Sequence, residues 1–341
     1  MKFLLIITSL IFYGCATQDD RPMPADGEAL LKEFEVTKEE QEQFSFKQIT
    51  PTPAPVAVTR TETEVSKVTK PKAKVQKKKK AVKKSPEIKA AYPEGYPENY
   101  KVLYPDAKKT WDLFEPLISV GESINFEITY LGIKAGNIKF MVLENGERGE
   151  DLIHHFKATL SSADYYKYIY KLDDYVESFI VADSFLPLKY TLIQRESGQS
   201  VDELQLFNHD KLQNKQWFKK IKDGKTKKDD KVGFTPKLFL DPLSLLAFFR
   251  GLPLKKGDEY VVPVIVRSKV LKVTATVVEY EKIDVLDKER DAVKLSVYVE
   301  PMKEDKKPTT MNLWYNRAST RELLRFNAEL KFGSVEGEWV Q

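Results

Sequence analysis

From Glu122 onward apolar and polar positions alternate with a period of two. Ile124, Phe126, Ile128 and Tyr130 alternate with Asn125, Glu127 and Thr129, and Ile138, Phe140 and Val142 follow a turn marked by Gly132 and Gly136. Successive side chains on a strand point to opposite faces, so this pattern predicts two strands joined as a hairpin. The alternation recurs over residues 260–266, at Leu271, Val273, Ala275 and Val277, over 293–299, and at Leu324, Phe326, Ala328, Leu330 and Phe332. Weaker strands fall at 175–182, 187–195, 201–207 and 212–221. About a dozen antiparallel strands with short turns predict a mainly β fold: a large antiparallel curved sheet, a sandwich or a partly closed barrel. Each strand has one apolar face, so the sheet must fold over itself, a helix or a ligand.

Two helices interrupt this series. The clearer has Asp241 as N-cap and Pro242 at the first helical position, runs from Leu243 to Arg250 and ends at Gly251. Leu243, Leu245, Leu246, Ala247, Phe248 and Phe249 make it apolar nearly all round, which places it inside the curve of the sheet or across a barrel mouth. Arg250 at its C-terminal end suits the helix dipole. The second helix is expected over residues 161–171 and carries Tyr165, Tyr166, Tyr168 and Tyr170. Such density of tyrosine suits ordinary core and rim packing, a pocket lip or a membrane edge.

The N-terminal third reads differently. Met1 and Lys2 precede an apolar run from Phe3 to Tyr13, and Gly14-Cys15-Ala16 follows at once. Eleven residues are too few to cross a bilayer but match the apolar part of an export signal. The Gly-Cys step resembles the lipobox of bacterial lipoproteins, which implies cleavage after residue 14 and lipid attachment at Cys15. Phe12 and Tyr13 depart from the usual pattern there, and an ordinary secreted protein cleaved after Ala16 is the alternative. With Ala16 following the cysteine, the lipoprotein reading implies a membrane-anchored protein facing the periplasm, at the outer membrane.

Residues 15–94 are acidic first, then rich in proline and lysine, with Lys77, Lys78, Lys79 and Lys80 in one run. Few apolar residues interrupt them, so a disordered linker is expected, able to reach on the order of 200 Å when extended. Leu30, Leu31, Phe34 and Val36 among acidic residues form a weak amphipathic pattern over 28–42. The lysine run is either a soluble spacer or a contact for the cell-wall polymer or anionic head groups. The domain organisation read from the chain is a signal peptide over 1–14, this linker over 15–94, a lead-in over 95–115 and a β-rich domain over 116–341.

Charge sharpens the picture. The net formal charge is −4 over residues 1–50, +9 over 51–90 and −1 over 91–341. The basic balance therefore belongs to the linker, which argues against a nucleic-acid-binding domain. One cysteine excludes an intrachain disulfide and a cysteine metal cluster.

Several segments together resemble the bacterial domain-of-unknown-function family 3108. They are Gly121-Glu122 with Tyr130-Leu-Gly-Ile-Lys-Ala-Gly136, the string from Tyr168 to Ser178 followed by Leu186-Pro187, the Asp241–Arg250 helix with Gly251-Leu-Pro-Leu254 and Gly257, then Leu313-Trp314 and Phe332-Gly333-Ser334. The resemblance spans about residues 116–341 and implies an exported β-rich domain. It carries over no catalytic residue.

A search for chemistry returns little. His154 and His155 are neighbours on a strand and point apart, so they do not jointly hold a metal. No nucleophile elbow, zinc-protease motif or phosphate-binding glycine loop is present. No cofactor is expected. Two functional readings from different classes remain, with a third behind them. The first is a non-enzymatic binding or assembly protein whose β domain holds an apolar ligand, a lipid or a segment of an envelope partner, lined by Tyr165, Tyr168, Phe248 and Phe249. The second is a cell-envelope hydrolase or polymer-modifying enzyme using Asp173, Asp174 and Glu177. The third is a structural protein docked on the cell wall.

Overall fold

A computed structural model of the chain describes residue 23 and residues 28–49, 90–302, 307–329 and 333–340. Cys15, Lys77, Lys78, Lys79 and Lys80 lie outside the described residues.

The fold is one antiparallel sheet, coiled around a helix and left open. Its strands are β1 (Lys47–Gln48), β2 (Ser123–Tyr130), β3 (Ile133–Arg148), β4 (Asp151–Ser162), β5 (Leu172–Val181), β6 (Leu186–Glu196), β7 (Gln199–Asn208), β8 (Gln213–Lys222) and β9 (Lys225–Phe234), then β10 (Glu259–Val266), β11 (Lys269–Val285), β12 (Lys288–Pro301), β13 (Thr309–Asn316), β14 (Leu323–Glu329) and β15 (Ser334–Trp339). Chain neighbours pair in register from β2 to β9 and from β10 to β15, and β15 closes onto β2, with Gly337 opposite Ile128. The two outer edges are β9 and β10. The expected large curved sheet is the form observed.

The helices are α1 (Glu28–Glu33), α2 (Lys38–Phe44), α3 (Glu98–Asp112) and α4 (Pro242–Arg250). The chain crosses from β9 back to β10 through α4, and this helix fills the concave side. Asp241 Oδ1 accepts from the Leu243 and Ser244 amides at 2.8 and 2.9 Å, and Ser244 Oγ accepts from the Asp241 amide at 3.0 Å. These bonds satisfy the free amides of the first turn. At the other end Gly251 is required by space: a Cβ there would lie 2.4 Å from the Glu115 carbonyl oxygen and from the Phe114 ring.

The β10 edge is capped rather than left open to another strand. Thr110 of α3 donates to the Val261 carbonyl at 3.0 Å and accepts from the Val261 amide at 3.1 Å, imitating a ladder partner. Leu240 pairs with the same strand by a short parallel bridge. The opposite edge, β9, is mostly exposed and carries Lys225, Lys227, Lys228, Lys231 and two aspartates, charges that discourage edge-to-edge association.

Three sequence expectations need correcting. The tyrosine helix over 161–171 is absent: β4 runs on to Ser162, a single 3-10 turn covers Tyr166–Tyr168, and β5 begins at Leu172. Pairing of Ser161 with Asp173 carries the ladder into the span where the helix was expected, so the chain there closes a hairpin instead. The linker expectation fails at residues 28–49, where α1, α2 and β1 form and β1 pairs with β3. The lead-in over 95–115 holds the fifteen-residue helix α3.

Residues 28–49 form because β4 to β8 have a second apolar face. Tyr175, Phe179, Ile193, Leu204, Leu206 and Trp217 make a core with Leu30, Val36 and Phe44 on the convex side. Lys189, only 2% exposed there, meets Glu28 at 2.6 Å and lies 4.4 Å from the centre of the Phe179 ring. Lys215 pairs with Glu40 at 2.7 Å and Lys219 with Glu33 at 2.5 Å. Charge thus fixes the orientation of a segment that apolar burial holds down.

Candidate apolar site beneath the central helix

Between α4 and the concave face lies a cavity of about 100 Å³. One stripe of the helix forms its roof: Leu243, Leu246, Ala247 and Arg250, at the i, i+3, i+4, i+7 spacing of a single helix face. Ile124, Phe126, Ile138, Phe140, Ala158 and Leu160 of β2 to β4 form one wall, and Met311, Leu313, Leu323 and Phe326 of β13 and β14 form the other. Register explains the wall, because Phe126, Ile138 and Leu160 stand in one row across the sheet and Ile124, Phe140 and Ala158 in the next. The opposite side of α4 is fully packed: Phe248 stacks on Phe114 at 4.1 Å and lies 4.5 Å from Trp111.

Gly337 shapes this wall. A Cβ there would fall 2.1 Å from Phe326 Cζ, so the ring of Phe326 lies flat over a residue without a side chain and faces the cavity.

Arg250 alone among the described lining residues carries a polar side chain. It is 6% exposed. Its Nη1 donates to Glu122 Oε2 at 2.9 Å and its Nη2 to the Thr320 carbonyl at 2.8 Å, while its Nε–H is buried with no acceptor. Among the described lining residues there is no nucleophile and no acid–base pair, and apart from Arg250 the lining is apolar.

Further along the same concave face, β5 to β8 turn polar. Gln194 donates to Asp174 at 3.1 Å and to Glu196 at 2.9 Å, and Tyr170 donates to Glu196 at 2.6 Å. Glu203 accepts from Gln205 at 2.9 Å and from Gln216 at 2.8 Å. The β10–β11 hairpin reaches into this floor: Arg267 lies 3.5 Å from Glu203, and Ser268 Oγ accepts from Asn214 at 3.0 Å. Arg267 and Ser268 both have φ near +50°, as a two-residue hairpin turn of this hand demands. Burial drives the Asp174 carboxyl well above the usual carboxylate range, reinforced by the Glu196 charge. Burial likewise raises Glu203, against the opposing pull of Arg267. These groups are sealed in the fold and link its two ends.

The residues singled out from sequence are dispersed. Phe248 and Phe249 are fully buried and do not line the cavity. Tyr165 and Tyr168 are 52% and 85% exposed, on the turn that follows β4. Asp173 is exposed, Asp174 faces the concave side and Glu177 the convex side, where it meets His155 at 3.4 Å and Lys157 at 3.2 Å. The three carboxylates therefore do not converge. His154 and His155 point to opposite faces, with His154 Nδ1 3.0 Å from Asn145 Oδ1. The lining residues Leu243, Leu246 and Ala247 were not legible as such. A helix apolar all round conceals which stripe meets a void.

Residues 125–339 match the family described as a protein of unknown function, DUF3108, and the chain belongs to that family. No curated protein matches the chain. Among solved structures it is similar to a β-barrel-like protein of domain of unknown function DUF1849 from Brucella abortus, at 11% identity and a TM-score of 0.40, over 64% of this chain and 95% of that one. It is also similar to the hypothetical lipoprotein YmcC from Escherichia coli, at 8% identity and a TM-score of 0.27, over 67% of this chain and 92% of that one.

Proposed function

We propose that this is an exported, lipid-anchored envelope protein that acts by binding, and that its coiled sheet holds an apolar ligand beneath α4. The observation that carries the reading is the cavity, apolar on every wall except at Arg250. A void of this kind excludes water and accepts apolar guests, and its volume is of the order at which engineered apolar cavities in proteins take up small hydrocarbons. A ligand with a longer apolar chain would displace Leu246 and Ile138, the half-buried side chains of the roof and wall.

The test is native mass spectrometry of the full chain gently extracted from its own envelope, beside a Leu246→Trp variant whose indole occupies the cavity. A stoichiometric apolar molecule on the wild type, absent from the variant, supports the reading. A wild type that is empty and takes up no added apolar compound overturns it.

The address rests on the apolar run before Gly14-Cys15. A diacylglyceryl group at Cys15 contributes about 0.8 kcal/mol per buried CH₂, enough for lasting attachment. In this reading the protein faces the periplasm from the outer membrane and Lys77, Lys78, Lys79 and Lys80 meet the cell wall. Labelled fatty acid should enter the protein and be lost with Cys15→Ala; label that survives the substitution rules the anchor out.

A further inference from the structure

We propose that the ligand is an acyl ester, with its alkyl chain in the cavity and its ester carbonyl oxygen accepting from Arg250 Nε. The proposal rests on the binding reading above and adds the chemical class of the guest.

Three observations about Arg250 support it. First, it lies at one end of an otherwise apolar lining, at the last turn of α4, so a guest filling the cavity from Leu243 to Ala247 brings its polar end to this side chain. Second, two of its three nitrogens are engaged, by Glu122 and by the Thr320 carbonyl, and the third, Nε, is buried without an acceptor. A buried donor left unpaired is costly, and a bound oxygen acceptor removes that cost. Third, the charged donors around the cavity end already have partners. Glu122 neutralises the guanidinium, and the nearby Arg321 is engaged by the Leu252 and Pro253 carbonyls.

That pairing selects among amphiphiles. A fatty acid would bring a second carboxylate beside Glu122 to a guanidinium already paired, while Arg321 directs its donors to backbone carbonyls, so the acid would repel Glu122 and lose hydration in exchange. A pure hydrocarbon would leave Nε unpaired. A neutral carbonyl at the head of an alkyl chain satisfies the donor without adding charge, and an acyl ester presents that group there.

The experiment compares two small probes that differ only at this oxygen, methyl pentanoate and methyl pentyl ether, titrated against the full-length protein by calorimetry. The ester should bind about tenfold more tightly, as a hydrogen bond to a charged donor implies. In Arg250→Lys, which keeps a cation for Glu122 but lacks Nε, the ratio of ester to ether affinity should collapse toward one. Equal affinities in the wild type overturn the ester assignment and leave the cavity reading standing. Binding of neither probe overturns both. The wild-type comparison decides the matter even if the variant fails to fold.

Discussion

Ser178 Oγ donates a hydrogen bond to Asp241 Oδ2, joining the middle of β5 to the cap of α4. The same carboxylate holds the first-turn amides of the helix, so one buried side chain both starts α4 and fixes it to the sheet. Burial pushes its pKa up to about 6 from an ordinary 3.8, although the bonds from Ser178, Ser244 and Leu243 pull the other way. Between these values the folded protein keeps a proton that the unfolded chain releases, so stability falls as pH rises through this window and levels off above it. Asp241→Asn, which still caps, should reduce that slope by up to about 1.4 kcal/mol per pH unit, read from urea denaturation between about pH 4 and pH 7.

Glu177 behaves in the opposite sense. Burial raises its pKa, but His155 at 3.4 Å and Lys157 at 3.2 Å outweigh that and hold it at about 2, below an ordinary 4.5. Its contribution is present above pH 4.5 and lost as pH falls toward 2. Glu177→Gln should cost about 1–3 kcal/mol at neutral pH and remove this acid-dependent loss.

Gly337→Ala tests the cavity wall. With Phe326 Cζ 2.1 Å from the added methyl position, the ring must swing away or the strands part. Thermal melting should show a loss of about 1–3 kcal/mol, and an apolar probe should bind more weakly, because Phe326 would then enter or leave the cavity.

Leu30→Ala tests the convex core. Leu30 is fully buried, and the truncation should cost about 2–4 kcal/mol of docking energy. Because residues 28–49 lie outside the main core, the loss should appear as local opening. Hydrogen exchange should rise in α1, α2 and β1 and remain unchanged in β11 to β13; a uniform rise across the sheet would show that the segment is integral to the global fold.

Much of the sheet was legible because β2 to β4 and β11 to β14 bury mainly one face each, and their alternation survives in the sequence, while β10, buried on both faces, reads as a short apolar run. Helix α4 was legible in full because Asp241, Pro242 and Gly251 punctuate it. Strands β5 to β7 were weaker signals for a physical reason: both faces are buried, and on the concave side Asp174, Gln194, Glu203 and Gln205 take places where apolar residues were expected. Strand β9 reads as a charged loop, since an exposed edge selects lysine over apolar side chains. Helix α3 was missed at Pro105, which lies inside it. The cavity itself was hidden, because a void is a property of how side chains fail to meet, and no single residue announces it.

The docking of residues 28–49 also changes how far this protein can stand from a bilayer. Only residues 16–27 separate Cys15 from α1. Even drawn straight, thirteen residue steps span about 45 Å. A lipid on Cys15 would therefore keep the coiled sheet on a short leash, within roughly its own width of the membrane surface, instead of casting it across the periplasm. Residues 50–89 follow this docked segment in the sequence, so their length has no part in that distance.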